Sequence, residues 1–189
     1  MRVLGIDPGT AIVGYGIVDY NKNIYKNIKY GCIYTDKTLD LETRLFNIYE
    51  ELDLLIKEYK PDAIAIEELF FFKNAKTVIS VGQARGVIVV VSMKNKLKPV
   101  GYTPLQVKMG VTGYGKAEKK QIQEMVQKIL KLEKIPEPDD AADGLAIAIT
   151  HINSLTSLYL VGEKTTLSSK VVTKNKMSLK DYREIILKK

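Results

Sequence analysis

The first third of the chain is patterned in twos, and the remainder alternates that rhythm with a helical one. Residues 2–7 (RVLGID) form a short apolar run that ends on Asp7 and breaks at PGT. Residues 12–20 (IVGYGIVDY) and 24–35 (IYKNIKYGCIYT) are rich in Ile, Val and Tyr, with NKN between them. Branched and aromatic side chains fit a pleated surface and Asn-rich breaks fit turns, so this pattern predicts a three-stranded antiparallel meander. From 39 to 59, Leu45, Ile48, Leu52, Leu55, Ile56 and Tyr59 fall on one stripe at helical spacing, which predicts a long amphipathic helix. A buried strand is expected at 63–69 (AIAIEEL), a helix at 77–94 and a strand at 99–103. A third helix is expected at 117–132, with Ile122, Met125, Val126 and Ile129 on its apolar face, and a helix at 139–153 closes the body.

The resulting order, βββαβαβα with the closing helix, predicts an α/β fold: a mixed five-stranded sheet, three strands antiparallel and then two parallel, flanked by helices. Asp7 and Glu67 then stand at the carboxyl ends of two strands, where open α/β sheets place their sites, and these strands are expected to be neighbours. The stretch PDDAADGLAIAI at 138–149 adds three more carboxylates at the start of an apolar helix. A cap and the helix dipole account for two of them. Asp139, directly after Pro138, reads as the cap. Asp143 lies a turn further in, on the face of Asp140. Glu68 points away from Glu67 if the strand continues.

Four converging carboxylates repel unless cations lie between them. Oxygen ligands, a lone cysteine and a lone histidine point to hard ions, Mg²⁺ or Mn²⁺. Two such ions side by side suit in-line displacement at a phosphodiester.

Composition narrows the setting. The 189 residues suit one globular body, 46% hydrophobic and 27% charged, with no run resembling a membrane span or a secretory leader, so a cytoplasmic protein is expected. Cys32 has no partner for an internal disulfide and reads as a small buried hydrophobe. The net charge of +7 favours a polyanionic partner, and it is uneven. Residues 157–189 hold eight Lys/Arg against three Asp/Glu, while 1–156 hold 21 against 19. The expected organisation is a nuclease-sized domain at 1–156 and a basic extension at 157–189, with a short helix at 178–187.

Four blocks, GIDPGTAIVGYGIVDY, AIEELFFFKNAKTVISVGQARGVI, QVKMGVTGYGKAEKKQIQEMV and PDDAADGLAIAITH, resemble those of the RuvC family of Holliday-junction resolvases, in order over residues 1–153. The resemblance implies an RNase H-like fold, a homodimer, and Mg²⁺-dependent paired nicking of four-way DNA junctions, with two Mg²⁺ per active site and Mn²⁺ as a substitute. It also implies engagement with a RuvAB branch-migration complex. Matched motif to motif, Asp7, Glu67, Asp140 and Asp143 fall on the catalytic, metal-binding acids. Lys108 and Lys119 fall on basic positions that meet DNA near the scissile phosphate, and Phe70 on an aromatic near the strand-exchange point.

Other residues are read from their own chemistry. Alternation cannot bury all three phenylalanines at 70–72 on one face, and an exposed ring beside Lys73 and Lys76 suits stacking on unpaired bases. In GYGKAEKK (113–120), glycines before a basic helix start, with Lys116 and Lys120, suit phosphate contact. GQARG at 82–86 reads as close helix packing, and His151 as a satisfied helical histidine. A rival remains, because DPGTAIVGYG also resembles the first phosphate loop of the actin and sugar-kinase superfamily, which would make the chain a nucleotide-binding phosphotransferase. Such proteins usually need a second loop and a longer chain, and neither is found here. A junction-binding protein without catalysis is opposed by the full set of acids.

Overall fold

The computed structural model describes residues 1–68 and 75–168, with side chains described except at 75–77 and 158–168. Its elements are β1 (Arg2–Asp7), β2 (Ile12–Asn21), β3 (Ile24–Tyr34), α1 (Leu41–Tyr59), β4 (Ala63–Glu67), α2 (Ala75–Lys94), β5 (Val100–Tyr102), α3 (Pro104–Thr112), α4 (Lys119–Leu130) and α5 (Asp139–Ser168). The five strands form one sheet in the order β3-β2-β1-β4-β5. The meander is antiparallel and β4 and β5 run parallel to β1, so the expected mixed sheet is present. Lys22 and Asn23, both at positive φ, close the β2–β3 hairpin as a two-residue loop whose twist matches the strands.

Alternation along the central strands sends side chains to two cores. Leu4, Ile6, Ile64 and Ile66 face α1 and α2, packing with Ile48, Leu52, Ile56, Ile88 and Val91. Val3 and Ala65 point the other way, into a core built from Val107, Val126, Leu145, Ile149 and Ile152 of α3, α4 and α5. Asp7 and Glu67 share the parity of Val3 and Ala65, so both belong to the α5 face.

That face admits α5 because it lacks side chains where the helix crosses. A Cβ on Gly14 would lie 1.9 Å from the Asp140 carbonyl oxygen, and one on Gly5 would lie 2.2 Å from the Gly144 carbonyl oxygen. Glycine on the strands therefore lets the helix backbone rest on the sheet and sets how close its acids come to Asp7.

The structure departs from the sequence pattern in four places. α3 is an additional helix, opened by a Thr103–Gln106 capping box with Pro104 in its first turn and closed by Gly113 at φ 72°. Its nine residues bury only Val107 and Val111, too few to register as a stripe. α5 continues to Ser168 rather than stopping at 153. β4 ends at Glu67, and Glu68 is exposed with its N–H donating to the Tyr102 carbonyl at 2.8 Å. Asp139 is not the cap of α5: it is the first helical residue, and the carbonyl of Pro138 accepts from the N–H groups of Ala141 and Ala142.

Contacts divide the chain into one unit at Met1–Asn153 and another at Ser154–Lys189. The second is described only to residue 168, as helix. Phe70 and Lys73, the Lys76 side chain and the expected helix at 178–187 lie outside the described residues. Among the described residues no helix is long and apolar enough to cross a membrane.

Candidate active site

A row of residues runs straight across the sheet at the carboxyl end of β1. Asp7 is in register with Gly14 of β2, and Gly14 with Cys32 of β3. On the other side Ile6 pairs with Ile66 of β4, which brings Glu67 alongside Asp7. The neighbouring strands expected from the sequence are thus observed, and the Asp7 and Glu67 carboxyls are close enough to act on one another. α5 crosses over Gly14 with Asp140, and Asp143 follows one turn along.

The electrostatics show these acids acting on one another. Burial raises the Asp7 carboxyl well above the ordinary range, and the Glu67 charge, its hydrogen bond, and the charges of Asp143 and Asp140 raise it further. Glu67 is raised mainly by burial and also by Asp143, while the Asp7 hydrogen bond and Lys119 oppose the shift. Two buried carboxyls coupled in this way favour keeping a proton on the pair. Asp143 is raised by burial against the pull of Lys119.

Lys119, the first residue of α4, enters this cluster. Its Nζ lies 3.1 Å from Asp143 and 3.3 Å from Asp139, and both acids hold its ammonium above the ordinary lysine range although burial works against it. Asp139 also accepts from Gln123 Nε2 at 3.0 Å and sits below the usual carboxylate range. Its carboxylate serves α4 rather than its own helix.

All-oxygen donors that raise one another's proton affinity suit a hard divalent cation. Among the described residues no three acid, histidine or cysteine side chains are already set around one ion. The raised proton affinity of Asp7 and Glu67 and the Lys119 ammonium on Asp143 offset the charge, and a cation would replace both.

The remaining basic positions lie nearby in sequence but outside the ion-paired group. Lys108 is half-buried on α3, and Lys116 and Lys120 are exposed, with no acidic partner among the described residues. Tyr114 between them is 57% exposed. The Gly113 N–H is taken by the Met109 carbonyl as a helix cap, so this turn does not leave all its amides free.

Three further positions refine the sequence reading. His151 is fully buried, with Nδ1 2.8 Å from the Tyr102 hydroxyl, but its Nε2 has no partner, so the ring is satisfied at one nitrogen only. Burial lowers its pKa to about 4, which keeps it neutral. Cys32 is half-buried, and burial raises its thiol pKa. On α2, a Cβ at Gly86 would meet nothing within 4 Å, so this glycine of GQARG faces open space instead of packing inside the chain. The glycines beneath α5 went unread; Gly14 and Gly16 two apart on a strand, with Gly144 beside the acids, were the available signal.

Comparison with known proteins gives one consistent result. Residues 3–151 match the family described as crossover junction endodeoxyribonuclease RuvC. A crossover junction endodeoxyribonuclease RuvC from Fusobacterium nucleatum is 59% identical over 190 residues, covering 100% of both chains. One from Caldanaerobacter subterraneus is 51% identical over 162 residues, covering 86% of this chain and 98% of its own. The solved Thermus thermophilus RuvC structure superposes with a TM-score of 0.78 at 31% identity, over 83% of this chain and 96% of that one. The same protein in complex with Holliday junction substrate gives 0.77 at 28% identity, with the same coverage. These matches favour the resolvase resemblance over the sugar-kinase one.

Proposed function

The chain belongs to the RuvC family of crossover junction endodeoxyribonucleases, and we propose that it resolves four-way DNA junctions by hydrolysing one phosphodiester in each of two strands at the acids of β1, β4 and α5. The observation that carries the site assignment is the register that sets Asp7 and Glu67 side by side at the ends of β1 and β4, with α5 seated on Gly14 at Asp140 and the charges of Asp143 and Asp140 acting on Asp7. Asp7, Glu67, Asp140 and Asp143 would hold two Mg²⁺ ions, with Mn²⁺ able to replace them. When bound, the ions would activate water as the nucleophile and stabilise the leaving oxygen.

The chain's own residues orient the strand. Lys119 starts α4 among the acids, where its ammonium can meet a phosphate oxygen. Lys108, Lys116 and Lys120 hold neighbouring phosphates by charge, so binding weakens with salt. Phe70 and Lys73 serve the junction centre. Residues 1–156 act as the nuclease domain, and the basic 157–189 adds attraction for DNA.

Symmetric cutting needs two sites, and one face suits a second copy. Ile79, Gly86, Val90 and Met93 follow one another at spacings of seven, four and three on α2, with Ile79 65%, Val90 60% and Met93 50% exposed. Beside them Leu45, Phe46 and Tyr49 of α1 complete a shallow apolar groove with Gly86, Val87 and Val90. A helix stripe that is apolar, exposed and notched by glycine fits an isologous homodimer contact. A protein that acts on DNA junctions fits the cytoplasm, and family membership supports engagement with a RuvAB complex.

The experiment is to incubate the protein with a labelled four-way junction and with matched linear duplex, with and without Mg²⁺, and to map the nicks. Symmetric incisions confined to the junction and dependent on Mg²⁺ support the reading. Equal cutting of duplex, or ATP binding without junction binding, contradicts it.

A further inference from the structure

Tyr34 stands on the face and edge of the sheet that carry the acids. It is the last residue of β3, in register with Ile12, and it follows Cys32 by two, so it shares the face on which Cys32 and Gly14 meet the start of α5. The row through Glu67, Asp7, Gly14 and Cys32 therefore has Tyr34 one pleat beyond its end. With strands about 4.8 Å apart and a rise of about 3.4 Å per residue, its backbone lies roughly 12 Å from that of Asp7. The Asp140 charge reaches both Cys32 and the Tyr34 phenol.

The side chain is open and its base is fixed. Tyr34 is 63% exposed. Its ring leaves the strand on the same face as Cys32, two residues before it and in register with Gly14. Thr35, next in the chain, is buried in a knot: its N–H donates to the Ala11 carbonyl at 3.0 Å, its hydroxyl donates to the Thr10 carbonyl, and Arg44 donates to both the Thr35 hydroxyl and the Thr10 carbonyl. The ring therefore projects from backbone tied to the turn that follows Asp7.

A strand whose phosphate enters the acid site and continues toward β3 passes over this edge. Next to so many carboxylates an ammonium is captured by them, as Lys119 is by Asp143 and Asp139. An uncharged aromatic face holds a base without that competition, because stacking uses the π-face that every base has. We propose that Tyr34 is a substrate-positioning residue that stacks on a base of the cleaved strand close to the scissile phosphate, and so sets where along the junction arm the cut falls. This rests on the nuclease reading of the acid site.

The test compares wild type with Tyr34→Phe, Tyr34→Leu and Tyr34→Ala, the leucine keeping apolar cover over Cys32 if alanine disturbs folding. Junction affinity is measured by fluorescence anisotropy without divalent metal over a range of salt. Nicks are mapped with Mg²⁺, and 2-aminopurine is placed beside the cut to report stacking. The expected result is near-wild-type behaviour for Tyr34→Phe. The leucine and alanine variants should lose affinity by about 5- to 150-fold, the worth of one stacked base, lose 2-aminopurine quenching, and spread the nick positions. The slope of log affinity against log salt should not change, since no phosphate contact is removed. Wild-type affinity, quenching and nick map in Tyr34→Leu would overturn the inference while leaving the nuclease reading intact. A wild type that neither binds nor cuts the junction overturns both.

Discussion

Asp7 and Glu67, sixty positions apart in the sequence, stand side by side at the ends of the parallel strands β1 and β4, where the Glu67 charge raises the proton affinity of Asp7. Two buried carboxyls at that separation cannot both carry full charge, and Asp143 and Asp140 add to the repulsion. Holding these acids together costs stability as long as no cation lies between them. Replacing Asp7 by Asn, or Asp143 by Asn, is expected to reduce Mg²⁺-dependent junction cleavage by about 10³-fold or more while junction binding persists. Without metal, the same variants should melt at higher temperature, by about 0.5–2 kcal/mol of added stability. Single-turnover cleavage with parallel calorimetry checks both, and full activity in either variant contradicts the assignment.

The same repulsion predicts a pH dependence. Asp7, Glu67 and Asp143 all have folded pKa values raised above their unfolded ones. The folded state thus retains protons that the unfolded chain has already released, and stability falls as pH rises through the raised values. With Asp7 raised to about 8, metal-free protein should lose melting temperature as pH rises from the ordinary carboxylate values near 4 to about 8 and level off beyond, most clearly above about pH 6.5 where His151 no longer contributes. Saturating Mg²⁺ should flatten the curve by replacing the proton. A melting temperature that rises with pH over this range without metal contradicts the account.

His151 acts in the opposite direction and at lower pH. Its folded pKa is lowered to about 4 by burial, so the unfolded chain takes up a proton first, and stability is lost as pH falls from about 6.5 toward 4. It is the only histidine in the sequence, so its ring signals can be followed by NMR without assignment. The ring should stay neutral down to about pH 4. A titration near pH 6.5 in the folded protein would show that the ring is not buried against Tyr102 as described.

Two glycines separate the requirements of the fold from those of the assembly. Gly14→Ala places a methyl 1.9 Å from the Asp140 carbonyl oxygen, which must lift α5 or distort β2. A loss of about 1–3 kcal/mol or more in stability, with weakened metal binding, is expected. Gly86→Ala meets nothing within 4 Å in its own chain and should fold normally. Val90→Glu on the same α2 stripe should also fold normally, yet sediment as a monomer where the wild type is expected to sediment as a dimer. A dimeric Val90→Glu protein would move the interface elsewhere.

Much of this architecture could be read along the chain because local and tertiary preferences agree there. The meander of β1, β2 and β3 follows from branched residues and an Asn-containing turn, and α1 from its single apolar stripe. Asp7 and Glu67 were legible as a pair because each ends a buried strand. α3 was not, since it is held by caps and tertiary contacts, such as Asn153 donating to the Gly110 carbonyl at 2.7 Å, more than by an apolar face of its own. The role of Asp139 was misread because its partner, Lys119, lies twenty residues away on another helix. The close seat of α5 on Gly14 and Gly5 was also hidden, because a glycine in a strand signals several things and only the packed helix selects among them.

The central claim is that the acids of β1, β4 and α5 form one cation site. Its most direct test is anomalous diffraction at the manganese edge from crystals of the wild-type protein soaked in Mn²⁺. Manganese peaks touching carboxylate oxygens of Asp7, Glu67, Asp140 and Asp143, and absent from Asp7→Asn crystals treated alike, are predicted. Peaks elsewhere, or none at this cluster from protein that cuts junctions with Mn²⁺ in solution, would contradict it.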